Sequence, residues 1–169
     1  MSLININALK SAQLHTDPYD YLVVPGFLNA DALERVNRDY PAIDTAANHA
    51  LENLSYGPAF EALMEELRDP ALARVLGEKF DLDLASLPTT VTVRKFCERT
   101  DGNIHTDHKS KIITVLVYFN GKWDHADGQL RLLRSKDDIN DYAAQVPPDG
   151  GTLLAFRRTD HSWHGHTRY

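Results

Sequence analysis

The chain has a single cysteine, Cys97, in 169 residues. An internal disulfide is therefore excluded, a reducing compartment is the simple expectation, and a closed zinc site built on several thiolates is excluded with it. No apolar run approaches the ~20 residues that cross a bilayer. Met1 to Asn5 lacks the charged stretch and apolar segment of a secretory leader. A cytoplasmic protein without a membrane partner is expected. Positive charge is in short supply: 18 Lys and Arg stand against 24 Asp and Glu, a formal net charge of −6. With no basic stripe either, a nucleic-acid partner held by bulk electrostatics is not expected. Glycine-rich phosphate loops are missing, and so is the Gly-x-Ser-x-Gly elbow of serine hydrolases. Cys97 has no base beside it in sequence and reads as a small strand residue rather than a nucleophile.

What is present suits one soluble domain over residues 1–169, with 43% apolar and 25% charged residues. Residues 1–88 read as helix-rich. Tyr19 to Val24 is a short strand closed by Pro25-Gly26. Asn29 caps a helix over Ala30 to Tyr40. Phe60, Leu63, Met64 and Leu67 follow the i, i+3, i+4, i+7 spacing of a helix from Pro58 to Arg68. Asp69-Pro70 opens another helix, with Leu72, Val75, Leu76 and Phe80 as its buried stripe. Residues 89–169 read as strands: Thr89 to Phe96, Lys111 to Asn120, Leu130 to Arg134, Thr152 to Phe156 and His161 to Tyr169. On the strongest of these, Ile112, Thr114, Leu116 and Tyr118 share one face. Ile113, Val115, Val117 and Phe119 share the other, a wholly apolar face expected to pack under the helices. Helices followed by antiparallel strands give an α+β domain.

The chemistry gathers at His105-Thr106-Asp107. Positions i and i+2 of an extended segment point the same way, so the imidazole and the carboxylate can grip one ion together. Two histidines and a carboxylate are the ligand set of a non-haem iron(II) site, which leaves the opposite face open. The second histidine must come from another strand, and His161, His164 and His166 are available. His164 and His166 share a strand face, while His161 turns the other way. The same tripeptide occurs at His15-Thr16-Asp17, but Pro18 follows it and no strand does, so it reads as a surface loop. His108 and His125 read as loop residues and His49 as lying on the helical side.

Four ordered pieces between Val91 and Tyr169 carry a resemblance. They are His105-Thr106-Asp107; the strand ending Tyr118-Phe119-Asn120; Trp123 followed by Asp127-Gly128-Gln129-Leu130-Arg131-Leu132; and Leu153-Leu154-Ala155-Phe156 followed by Ser162-Trp163-His164-Gly165. Together with Pro25-Gly26-Phe27-Leu28 before a helix, they resemble the 2-oxoglutarate- and iron(II)-dependent oxygenases, in particular the prolyl-hydroxylase-like branch. The resemblance implies a double-stranded β-helix (jelly-roll) core buttressed by the N-terminal helices. It implies His105, Asp107 and His164 as iron ligands, with His166 as a supporting or substrate-facing group. It implies that Tyr118 donates a hydrogen bond to 2-oxoglutarate, and that Thr114, Leu116 and Leu130 line the co-substrate pocket. The reaction implied couples oxidative decarboxylation of 2-oxoglutarate by O2 to hydroxylation of a substrate C–H bond. A small molecule or a protein or peptide is the expected substrate, with the loops Ala46 to Gly57 and Thr100 to Ile104 as its contacts. One departure stands out. The base that anchors 2-oxoglutarate in the family lies nine or ten positions past the distal histidine, beyond Tyr169, on a last strand that residues 89–169 lack. Arg168 is too near His164 to replace it, which leaves Arg94, Lys95 and Arg131 as substitutes. The rival readings are a catalytically silent jelly-roll module that binds metal, and a cupin-type metal enzyme that does not use 2-oxoglutarate.

Overall fold

The helices begin where their capping residues stand. In the computed structural model, which describes residues 1–169, α2 (Ala30–Arg38) is capped by Asn29, whose Oδ1 accepts from Ala32 N at 2.8 Å. α3 (Pro58–Arg68) and α4 (Pro70–Phe80) each start on a proline, which has no N–H to leave unpaired. Asp69 caps α4 by accepting from Ala71 N at 2.7 Å. α2 stops two residues short of Tyr40 because the Asp39 N–H closes back on the Val36 and Asn37 carbonyls. A further short helix, α1 (Ile6–Ser11), is capped by Asn5. At under two turns it is too brief to show a helical period in sequence. No helix is long and apolar enough to cross a membrane.

Eight strands follow or interrupt these helices: β1 (Tyr21–Val24), β2 (His49–Ala50), β3 (Thr92–Val93), β4 (Ile113–Val117), β5 (Leu130–Leu133), β6 (Tyr142–Val146), β7 (Leu153–Arg157) and β8 (His164–Gly165). They form two three-stranded sheets, β1-β7-β4 and β6-β5-β8, and a two-stranded ladder, β2-β3. Every pairing is antiparallel. The architecture is therefore α+β, as expected. The strand expected over Thr89 to Phe96 contracts to Thr92–Val93, and β6 is an addition. Its Tyr-Ala-Ala-Gln-Val sequence has too little β-branched character to stand out. The strand expected over His161 to Tyr169 contracts to His164–Gly165. Before it, Ser162 Oγ accepts from Thr159 N and donates to Thr159 O, which bends the chain into a turn. After it, His166 N leaves the sheet and donates to Gly102 O.

β7 is the wall between two cores. Leu153 and Ala155 face the helices and join the larger cluster, with Phe27, Phe60, Leu63, Leu76 and Phe80. Leu154 and Phe156 face the other way and join Tyr19, Tyr21, Leu132 and Val146. This second cluster draws side chains from both three-stranded sheets, so the sheets pack across it. β4 divides in the same manner: Ile113, Val117 and Phe119 pack toward the helices, Leu116 and Tyr118 toward the second cluster. Val115 departs from the expected apolar face. It lies on the outermost strand of its sheet and keeps 38% of its surface in solvent.

Phe60 ties α3 to the end of the β4 segment. It is fully buried, with the rings of Tyr40, Tyr56 and Phe119 at 5.3, 5.2 and 6.1 Å. Replacing it with Ala should cost about 3–5 kcal/mol, the range for emptying a buried aromatic site. Urea unfolding should show a lower midpoint at nearly unchanged slope.

Candidate metal centre

Two backbone hydrogen bonds bring the candidate ligands together. His105 N donates to His164 O and His164 N to His105 O, each at 3.0 Å, so the two residues face one another as an isolated antiparallel pair. Leu132 of β5 lies across from His164 on its other side. The loop before His105 can approach β8 only because two glycines permit it. A Cβ on Gly165 would stand 2.6 Å from the Gly102 carbonyl oxygen, and Gly102 itself has φ +87°, a left-handed conformation that favours glycine. Asp107 follows two residues after His105 and turns to the same side.

The three side chains converge. One donor atom from each of His105, Asp107 and His164 lies within 4.8 Å of the others. Asp107 Oδ1 is 4.0 Å from His105 Nε2 and 3.9 Å from His164 Nε2. The imidazole centroids are 4.3 Å apart. His164 is buried at 7% side-chain exposure and Asp107 nearly so at 12%, whereas His105 is 54% exposed. The site is thus closed behind and open in front.

Hydrogen bonds fix which atoms are free. His105 Nδ1 meets the Asn103 carbonyl at 2.8 Å, and His164 Nδ1 meets the Ser162 carbonyl at 2.9 Å. A carbonyl oxygen only accepts, so in each neutral ring Nδ1 carries the proton and Nε2 keeps its lone pair for a metal. The Thr114 hydroxyl donates to Asp107 Oδ2 at 2.5 Å, which leaves Oδ1 to face both histidines. Burial works against ionisation of Asp107. The Thr114 hydroxyl, and then His164, Lys111 and His105, outweigh it and hold the carboxyl below its usual value. Burial also pushes the His164 imidazolium pKa down, against the pull of the Ser162 carbonyl, so the ring stays neutral. Two imidazoles with Nε2 free and an ionised carboxylate, with an open side, fit an iron(II) ion.

The other histidines lie elsewhere. His161 is exposed, with its backbone N–H on Thr159 Oγ1. His166 turns its Nδ1 to the Thr167 carbonyl at 2.9 Å, with the Tyr169 ring 5.8 Å away. At the repeated tripeptide, His15 stacks on Tyr21 and Asp17 is engaged by Arg134 at 2.7 Å. Thr114 stands beside the triad, and Leu116, Tyr118 and Leu130 pack on the second cluster next to it. Among the substitute bases, Arg94 is ion-paired with Asp101 at 2.7 Å and Lys95 lies over the Phe96 ring. Arg131 is flanked on β5 by Leu130 and Leu132, which face the second cluster. Its own side chain lies on the opposite face, over the Tyr142 ring and bonded to Asn140.

Three contributors were not evident from sequence. Tyr19, 144 positions before Trp163, donates its hydroxyl to the Trp163 carbonyl at 2.8 Å and so braces the residue before His164. The Phe156 ring packs 4.9 Å from that of His164. Arg158 donates from Nε to the Asp107 carbonyl at 3.0 Å. Each acts through a non-local contact with no short-range spacing to betray it.

Comparison with known families agrees with this geometry. The model of the 2OG-Fe(II) oxygenase superfamily matches residues 93–169, the stretch that supplies all three candidate ligands. No curated protein matches the chain. The superfamily uses iron(II), 2-oxoglutarate and O2, and His105, Asp107 and His164 could hold the iron.

Two outcomes follow. Thr114→Val removes the donor that orients Asp107 and should weaken iron(II) binding by about 10- to 100-fold, as loss of a partner to a metal ligand does; anaerobic metal titration measures it. The second concerns the metal-free protein. Because His164 is depressed from 6.5 in the folded state, the unfolded chain binds the extra proton first as pH falls, and stability drops from about pH 6.5 downward. His164→Asn should flatten that decline in urea unfolding performed at about pH 7 and pH 5.5.

Proposed function

We propose that the chain is a 2-oxoglutarate- and iron(II)-dependent hydroxylase of the prolyl-hydroxylase-like branch, built as one domain on a jelly-roll core with residues 1–88 as its helical support. The observation that carries this reading is the pair of imidazoles with Nε2 held free, beside a carboxylate with Oδ1 held free, inside the matched region. Two antiparallel sheets packed across one apolar cluster agree with a jelly roll.

Iron(II), when bound with 2-oxoglutarate and O2, supplies oxidative decarboxylation coupled to C–H hydroxylation. The chain's own share is positioning and exclusion of water. His105, Asp107 and His164 would hold the ion, with the exposed side of the site left for co-substrate and substrate. Thr114 keeps the carboxylate turned. Leu116 and Leu130 give the co-substrate pocket apolar walls. Tyr118 is the donor to 2-oxoglutarate: burial raises its phenol pKa, so the hydroxyl keeps its proton. The substrate is a small molecule or a peptide or protein segment, in a cytoplasmic setting.

A second reading has its own support. Arg94, Lys95 and Arg131 are each engaged away from the Tyr118 cluster, and a metal-binding module without a co-substrate anchor would look the same. An anaerobic titration of the metal-free protein, first with iron(II) and then with 2-oxoglutarate, separates the two. A visible charge-transfer band that saturates with 2-oxoglutarate and vanishes in His105→Ala is the expected result. Iron uptake with no band points to the binding module. Asp107→Ala should lose both iron binding and turnover; activity retained in that variant would refute the ligand assignment.

A further inference from the structure

Two cationic groups that the proposed chemistry does not use stand against Asp107. The Lys111 ammonium is 3.5 Å from Asp107 Oδ1, the same oxygen that faces both histidines, and its side chain is 49% exposed. Arg158 holds the same residue from behind. Its Nε donates to the Asp107 carbonyl and its Nη1 to Asp160 Oδ1 at 2.8 Å, while the side chain is 12% exposed. Arg158 Nη2 makes no hydrogen bond within the chain.

Strand geometry separates these cations from the co-substrate pocket. From Lys111 to Tyr118 the nearly extended chain runs roughly 24 Å, at ~3.4 Å per residue. Thr114, beside Asp107, lies between them. The pocket wall of Leu116 and Tyr118 therefore leads away from the metal centre in one direction, and Lys111 lies in the other. Arg158 follows Phe156 by two positions, and its backbone N–H donates to the Ile112 carbonyl, which places it at the same end of the sheet as Lys111. The acids there besides Asp107 are already paired: Asp160, 72% exposed, with Arg158, and Asp20 with Arg157. Once a metal ion takes Asp107 Oδ1, Lys111 loses its counter-charge to a dication and needs another anion. In a chain of net charge −6, a cationic rim at the mouth of the site selects for ligand charge.

We propose that Lys111 and Arg158 form an anion-binding rim for the substrate, which carries a carboxylate or phosphate group close to the carbon that reacts. This rests on the proposed function, because it takes the triad as a metal centre. Arg158 offers its remaining donor, Nη2, and Lys111 a mobile point charge, and both can form charge-assisted hydrogen bonds to such an anion.

The test uses the full chain loaded with zinc(II), a redox-inert stand-in, and saturated with 2-oxoglutarate. Inorganic phosphate and acetate are titrated separately by calorimetry, and the tighter of the two identifies the anion chemistry. Lys111→Met should weaken that binding by about ten-fold, the loss of one charge-assisted contact, with zinc affinity undiminished because the ammonium no longer competes for Oδ1. Lys111→Arg should restore it. Arg158→Lys should weaken the binding without loss of fold by circular dichroism. Equal anion affinity in wild type and Lys111→Met overturns the inference, and so does no anion binding to the loaded protein. Anion binding seen in a parallel titration without 2-oxoglutarate, and lost once it is added, overturns it as well, by assigning the rim to the co-substrate. Failure of zinc to bind at all is seen in the first titration and marks the metal-centre reading, not the rim, as the point of failure.

Discussion

The short antiparallel contact between His105 and His164 is the constraint on which the rest of the site depends. Both of its hydrogen bonds are backbone bonds, so the positions of the two rings are set by main-chain pairing rather than by side-chain flexibility. Everything near it serves that approach. Gly102 and Gly165 supply the clearance a Cβ would remove. Ser162 and Asn103 give carbonyls that hold the rings in the tautomer a metal requires. Tyr19 braces Trp163 from the far end of the sequence.

Energetically the domain separates support from chemistry. The larger cluster, between the helices and the β1-β7-β4 sheet, is a fully apolar core with Phe27, Phe60 and Phe80 almost wholly buried. The smaller one, between the two sheets, mixes aliphatic side chains with three tyrosines and borders the triad. β7 belongs to both. A buried imidazole and carboxylate are costly to keep in such surroundings. Here each has a hydrogen-bond partner that also selects its orientation, so satisfying the polar group and preparing the ligand are one act.

Much of this was legible from sequence, for identifiable reasons. Helices α3 and α4 carry strong apolar periods and begin on proline, so both limits of α3 and the start of α4 are readable to the residue. The i and i+2 spacing of His105 and Asp107 predicted that they turn to one side, and they do. The choice of His164 among three nearby histidines was different. It depended on resemblance, because the turn made by Ser162 and Thr159 and the departure of His166 toward Gly102 are tertiary events. β6 and α1 were missed because one lacks β-branched residues and the other is shorter than a helical period needs. The hydroxyl of Thr114 was read as part of a pocket wall, and its bond to Asp107 is a contact that spacing alone does not encode.

The distance in sequence between the ligands has a consequence for the life of the chain. His164 comes 57 positions after Asp107, and its ring is set only when β5, β8 and the loop at Gly102 have met. During synthesis no ion can be trapped by half a site while the chain is still emerging, since His105 and Asp107 alone offer two donors on a flexible segment. Loading of iron would therefore come late and report completion of the fold, and a nascent or locally opened chain would give up the ion before an oxidant could form on it.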